Sequence, residues 1–218
     1  METINGKRES LEEKAVEIIS ERIKPLSEQE NIILGVCGGT SVAGIFQKLG
    51  NKNLDWKKVH IFLVDERIVP RDSKESNFHI ASESLPKYAT IHPFNLSENA
   101  EEDLKSYESK FKQLGGNFDI ILLSSGEDGH IASLFPNKEL NGEYFIKIND
   151  SPKPPKERVS VSVELLQKSK TSILVFFTKN KTDAYKKFLD ENLTIEDCPA
   201  KLVKNIGESY VLVDEEIN

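Results

Sequence analysis

The chain has 218 residues, 38% hydrophobic and 30% charged, enough to bury a sizeable core in one large domain or two small ones. Its 36 acidic against 29 basic residues give a net charge of −7, which disfavours a general affinity for nucleic acid or anionic membrane and leaves any anionic ligand to a local site. No apolar stretch approaches the ~20 residues that span a bilayer, and the start METINGKRESLEEKAVE lacks the apolar centre of a secretory signal, so a soluble cytoplasmic chain is expected. The two cysteines, Cys37 and Cys198, are far apart with no metal-ligand spacing around them; they read as reduced, small core residues rather than a disulfide or a zinc site.

From Arg8 to Leu26, Leu11, Ala15, Ile18, Ile19 and Ile23 recur at helical spacing between charges, and Pro25 helps to end the helix. The run NIILGVC (31–37) has strand length and breaks into Gly38, Gly39, Thr40 and Ser41 before a helical pattern through Ile45, Phe46 and Leu49. VHIFLVDE (59–66) reads as one buried strand, followed by a polar loop and a helix over 76–85 that Ser76 caps. Ser97 with Glu98, Glu101, Glu102 and Asp103 suits a helix N-terminus, Leu104, Tyr107, Phe111 and Leu114 supply its buried stripe, and Gly115 and Gly116 stop it. FDIILL (118–123) is a further buried strand, and SSGEDGH leads from it into IASLF, closed by Pro136, as a third repeat of the pattern. After SPKPPKE (151–157), RVSVSV alternates as a half-buried strand; SILVFF (172–177) is a continuous apolar strand, 181–191 is helical, and SYVLV (209–213) is a last strand. Strands alternating with helices imply βαβ crossovers: an α/β fold with a mainly parallel open sheet and helices on both faces. One domain spanning 1–218 is the simpler reading, with a monomer as the expected state.

Ligands of open parallel sheets collect beyond the carboxyl ends of the strands, so three loops matter. Gly38, Gly39, Thr40 and Ser41 combine glycines with two hydroxyls at a helix start, a setting that suits a phosphate dianion, although it is neither a dinucleotide fingerprint nor a Walker loop and glycine pairs also make plain turns. Asp65, Glu66 and Arg67 follow a buried strand; the guanidinium suits a phosphate or carboxylate, the alternative being a local ion pair. Gly126, Asp128, Gly129 and His130 place an imidazole beside a carboxylate at a third strand's mouth, the natural general base near neutrality unless it is only a capped turn over the core. His60, His79 and His92 lie within strand or helix patterns and read as structural. No serine or cysteine has the setting of an activated nucleophile, which makes water the attacking group.

Together these loops resemble the 6-phosphogluconolactonase family, within the wider group of glucosamine-6-phosphate isomerases and deaminases. GGTS (38–41), VDERIVPRDSKESNF (64–78), FDIILLSSGEDGHIASLFP (118–136), SPKPPKERVSVSV (151–163), the lysine of TKNKTDA (178–184) and CPAKLV (198–203) carry the resemblance, in the family's order over nearly the whole chain. It implies hydrolysis of 6-phosphoglucono-δ-lactone to 6-phosphogluconate, a phosphorylated sugar lactone as substrate, and neither metal nor organic cofactor. By motif, His130 is the implied general base. Gly38, Gly39, Thr40 and Ser41 cradle the phosphate, Arg67 and Lys181 add positive charge, Asp65 and Asp128 shape the polar floor, and Arg158 lines the same pocket. The division of the cations between phosphate and lactone stays open. The chain departs from the family's GGSTP at Gly39–Val42, from GMG at Ser124, Ser125 and Gly126, and from threonine at Ile131. Deaminases of the group continue GHIAFNEP, whose glutamate assists ring opening; Phe135 stands at that position here. A non-catalytic sugar-phosphate-binding protein is the remaining alternative.

Overall fold

A computed structural model of the chain describes residues 1–97, 99–138 and 141–217. The central strands form where apolar runs of five or six residues leave almost no polar face, as in Ile32–Val36, Ile120–Ser124 and Thr171–Phe176. The chain runs β1 (Glu2–Gly6), α1 (Arg8–Ile23), β2 (Ile32–Val36), α2 (Thr40–Gly50), β3 (Val59–Leu63), β4 (Asp65–Arg67), α3 (Asn77–Ser84), β5 (Thr90–His92), α4 (Ala100–Gln113) and β6 (Ile120–Ser124). It continues through β7 (Phe145–Ile148), β8 (Arg158–Val161), α5 (Val163–Gln167), β9 (Thr171–Phe176), α6 (Thr182–Leu189) and β10 (Glu208–Asp214). A seven-stranded sheet, all parallel, has the order β1-β10-β9-β6-β2-β3-β5. A three-stranded antiparallel sheet has the order β4-β8-β7.

The order of the strands places the helices. Connections run one way across the sheet from β1 to β5 and the other way from β5 to β10, so right-handed crossovers put α1, α2 and α3 on one face and α4, α5 and α6 on the other. The packing of α2 against both α1 and α3 agrees. At β2 and β6, adjacent in the sheet, the outgoing connections leave in opposite directions, which opens a crevice beyond their carboxyl ends. Between the sheets, Tyr107 and Phe111 of α4 pack edge-on against Phe62 of β3 and Phe145 of β7.

Several local expectations are corrected. Residues 59–66 are not one strand: after Leu63 the chain changes sheets, Val64 bonding to Val36 on one side and Val161 on the other, and β4 joins the small sheet. RVSVSV is not half-buried; β8, the middle strand of the small sheet, is buried throughout, and Ser162 caps α5 instead of extending the strand. IASLF forms no helix but a tight turn, with Leu134 N–H bonded to the Ile131 carbonyl. Asn99 caps α4, while Ser97 donates to Asp103. Glu98, expected in that acidic turn, lies outside the described residues. The first helix ends at Ile23, where a 3-10 turn containing Pro25 takes over, and the helix expected over 181–191 is α6, Thr182–Leu189. Both cysteines are free and buried. Among the described residues, no helix is long and apolar enough to cross a membrane.

Candidate active site

The crevice holds a cavity of about 300 Å³, lined by the loops after β2, β3, β6 and β9 and by the turn before β8. Gly38, Gly39, Thr40, Ser41, Asp65, Arg67, His130, Arg158 and Lys181 all line it; Asp128 stands just behind, against His130. His60, His79 and His92 do not line it, and the first and last of these hydrogen-bond to each other at the sheet edge.

The imidazole is held from two sides. Its Nδ1 makes a short hydrogen bond to Asp128 Oδ1, which also accepts from the His130 backbone N–H at 3.2 Å. Burial works against the Asp128 carboxylate, but these bonds outweigh it and hold its pKa down to about 2. An ionised carboxylate only accepts, so the proton of this bond belongs to Nδ1, and in the neutral imidazole it is Nε2 that carries the lone pair. The Phe135 ring lies 4.6 Å from the imidazole, centroid to centroid. Gly126 makes the fit possible, since a Cβ there would fall 2.6 Å from Nε2 and closer still to Nδ1 and Cε1. The departure at Ser124 and Ser125 is absorbed: the Ser125 hydroxyl donates to the Gly126 carbonyl, and Gly126 keeps the position that has to be small.

The glycine loop leads into α2 without a side-chain cap and without an acidic residue in the first turn. In the first turn the Val42 N–H reaches back to the Gly39 carbonyl at 3.4 Å, while the N–H groups of Thr40 and Ser41, residues that line the cavity, meet no side-chain cap, and the helix dipole favours an anion beside them. Gly39 makes the turn at φ +93°, a conformation that side chains disfavour.

The cations differ in how much of their capacity is committed. Arg158 is buried and spent on the protein: its Nε and Nη2 donate to the carbonyls of Pro155, Lys153 and Pro154, and its Nη1 donates to Ser133 and stands 4.0 Å from Asp65. It braces the proline turn and offers the cavity little. Arg67 donates one Nη1 bond to the Glu75 carbonyl at 2.7 Å, while its buried Nε has no hydrogen-bond partner among the described residues. Lys181 donates to the Ser125 carbonyl, and burial pushes its pKa down. Thr178, at φ +76°, makes the reversal that brings Lys181 back over β6, at a backbone cost of order 1–3 kcal/mol.

Two carboxylates that sequence places in the site are structural in their bonding. Asp65 accepts from Ser133 Oγ at 2.8 Å and from Asn77 Nδ2 at 3.1 Å. Glu66 points away, to the start of α3, where it accepts from the N–H groups of Arg67, Asn77 and Phe78 and from Ser76 Oγ. Burial raises its pKa against those bonds. Among the described residues, no group of three or more His, Cys, Asp or Glu is placed to hold a metal ion. Cys37 lies on the cavity floor with its thiol pushed up to about 12 by burial, which leaves it no thiolate near neutrality. Sequence reasoning missed Asn77, Ser133 and Lys153, whose contacts with Asp65 and with the cavity exist only after folding.

The family model described as glucosamine-6-phosphate isomerases/6-phosphogluconolactonase matches residues 6–212. A 6-phosphogluconolactonase of Borreliella burgdorferi is 34% identical over 194 residues, 83% of each chain. The crystal structure of 6-phosphogluconolactonase from Thermotoga maritima superposes with a TM-score of 0.87 at 26% identity, covering 98% of this chain and 99% of that one. A monomeric glucosamine-6-phosphate deaminase shares the fold nearly as well, with a TM-score of 0.84 at 23% identity over 100% of this chain and 98% of that one, so the fold is common to both activities. The matched span, the Borreliella relative and the cavity at the reversal of strand order agree: the chain belongs to the glucosamine-6-phosphate isomerase/6-phosphogluconolactonase family.

Proposed function

We propose that this chain hydrolyses 6-phosphoglucono-δ-lactone to 6-phosphogluconate, in the oxidative pentose phosphate pathway, by general-base activation of water. The observation that carries the reading is the His130–Asp128 pair with Phe135 packed on the imidazole. A deaminase needs a second acid beside the histidine to open its sugar ring, and a phenyl group transfers no proton. Lactone hydrolysis needs only the base.

Asp128 fixes the tautomer, so Nε2 takes a proton from water as the oxygen attacks the lactone carbonyl carbon. The carbonyl π pair moves to its oxygen, and the nearby cationic side chains stabilise the charge that develops there. As the carbonyl re-forms, the bond from carbon to ring oxygen breaks and that oxygen takes the proton from Nε2. The products are an open-chain acid and the neutral imidazole. Gly38, Gly39, Thr40 and Ser41 receive the phosphate at the start of α2, with Lys181 and Arg67 adding charge. Asp65 and Arg158 act as supports for these groups. The continuous hydrophobic cluster favours one domain over 1–218, and two free buried cysteines suit a reducing, cytoplasmic setting. A monomer carries every residue this mechanism uses.

The test is His130→Asn. It should lower kcat by about 10²–10⁴-fold while 6-phosphogluconate still binds, since a general base contributes about that much. Wild-type kcat in the folded variant overturns the assignment.

A further inference from the structure

Behind the glycine loop stands a residue with no place in this mechanism. Arg8 opens α1, and its Nη2 reaches the first turn of α2, donating to the carbonyls of Thr40 at 3.1 Å and Ser41 at 3.2 Å. Its Nε donates to Glu12, one turn along α1, at 3.0 Å. The guanidinium carbon lies 5.2 Å from the ring centroid of Phe177, where β9 passes into the Lys181 turn. Glu12 has a seat made for it: α2 carries Gly44 at the contact, and a Cβ there would fall 2.5 Å from the Glu12 carboxyl carbon. Lys48 stands 3.8 Å from the same carboxylate. One guanidinium is thus joined to α1, to α2 and to the end of β9.

We infer that Arg8 is a positioning residue for the anion-binding loop, held in place by Glu12 in the notch at Gly44. This rests on the reading that Gly39–Ser41 receive the phosphate. Backbone amides bind an anion well only when their N–H groups converge before it arrives. The loop has little of its own for that: Gly39 has nothing within 4 Å of a Cβ position, the helix has no side-chain cap, and the turn bond from Val42 N–H to the Gly39 carbonyl is long at 3.4 Å. Two bonds to the carbonyls of Thr40 and Ser41 fix the peptide planes from the far side, and the charge behind them adds to the positive potential of the helix start. Lysine in place of Arg8 keeps the charge but cannot hold two carbonyls and a carboxylate in one plane.

The experiment compares wild type, Arg8→Lys, Arg8→Gln and Gly44→Ala, with circular dichroism to establish folding. The Kd for inorganic phosphate and for 6-phosphogluconate is read by calorimetry, and KM and kcat on phosphorylated and unphosphorylated δ-lactones are measured beside it. Both Arg8 variants should weaken anion binding and raise KM for the phosphorylated lactone about tenfold, with kcat changed much less and the unphosphorylated lactone affected little. Gly44→Ala, which displaces Glu12, should give the same pattern. Unchanged Kd values, equal losses on both lactones, or full rescue by Arg8→Lys would overturn the inference. Wild-type hydrolysis tests the lactonase reading separately, because the calorimetric ratios report on Arg8 whether or not lactone is turned over.

Discussion

Gly126→Ala tests the site through a single methyl group. The new Cβ would lie 2.6 Å from His130 Nε2 and closer still to Cε1 and Nδ1, where unstrained heavy atoms keep about 3.5–4 Å apart. The imidazole must therefore move by roughly 1 Å or more, and Phe135, 4.6 Å away between centroids, limits where it can go. Any such movement breaks or bends the bond from Nδ1 to Asp128, and with it the fixed tautomer. A misplacement on this scale costs about 10²-fold, so kcat should fall by about 10²–10³-fold, or roughly 3–4 kcal/mol in the barrier. Gly126 is not among the residues at positive φ, so alanine suits its backbone and the fold should survive. Proton release from freshly generated lactone, corrected for spontaneous opening, measures the rate; a thermal melt reports the fold. A folded variant that keeps more than a third of wild-type kcat would refute the placement of the base.

Three further outcomes follow from particular contacts. Lys181→Ala should weaken binding of the phosphorylated substrate by about tenfold or more while the unphosphorylated lactone loses much less; equal losses would put Lys181 at the lactone end. Activity should survive exhaustive chelation, because Asp128 is committed to His130, Asp65 to Ser133 and Asn77, and Glu66 to the start of α3; loss on chelation with recovery on one divalent ion would contradict this. His92 is pushed down to about 4 by burial, by His60 and by Lys110, and burial lowers His60 as well. In the window between about 6.5 and 4 the unfolded state takes up protons that the folded state refuses, so stability is full above that window and falls as pH drops through it, by less than the whole shift would give because solvent screens the half-exposed ring. Urea melts of His92→Phe should lack this part of the slope, and an unaltered slope would show that the pair does not cause it.

The main sheet is legible in the sequence because a parallel strand covered on both faces is apolar at nearly every position, as in IILGV, VHIFL and IILLS. The short strands ETING, TIH and FIKI lack that signal: the first two close the sheet at its edges, and the third belongs to the small antiparallel sheet. The break at Val64 is invisible for a related reason, since its apolar side chain continues the run while its backbone is shared between sheets. The site loops are legible because glycines, hydroxyls and titratable groups directly after buried strands have few structural uses. What sequence does not reveal is which of those groups are already spent. Arg158 looks like a free cation until its bonds to the 153–155 carbonyls are seen, and Arg8 looks like an ordinary first-turn residue until α2 is packed beside it.

Wild-type enzyme should be assayed side by side for hydrolysis of freshly generated 6-phosphoglucono-δ-lactone and for ammonia release from glucosamine 6-phosphate. Phe135 on His130 leaves a base without a second acid, so lactone opening should run well above the spontaneous rate with no ammonia above background. Ammonia release with lactone opening no faster than in buffer would contradict it.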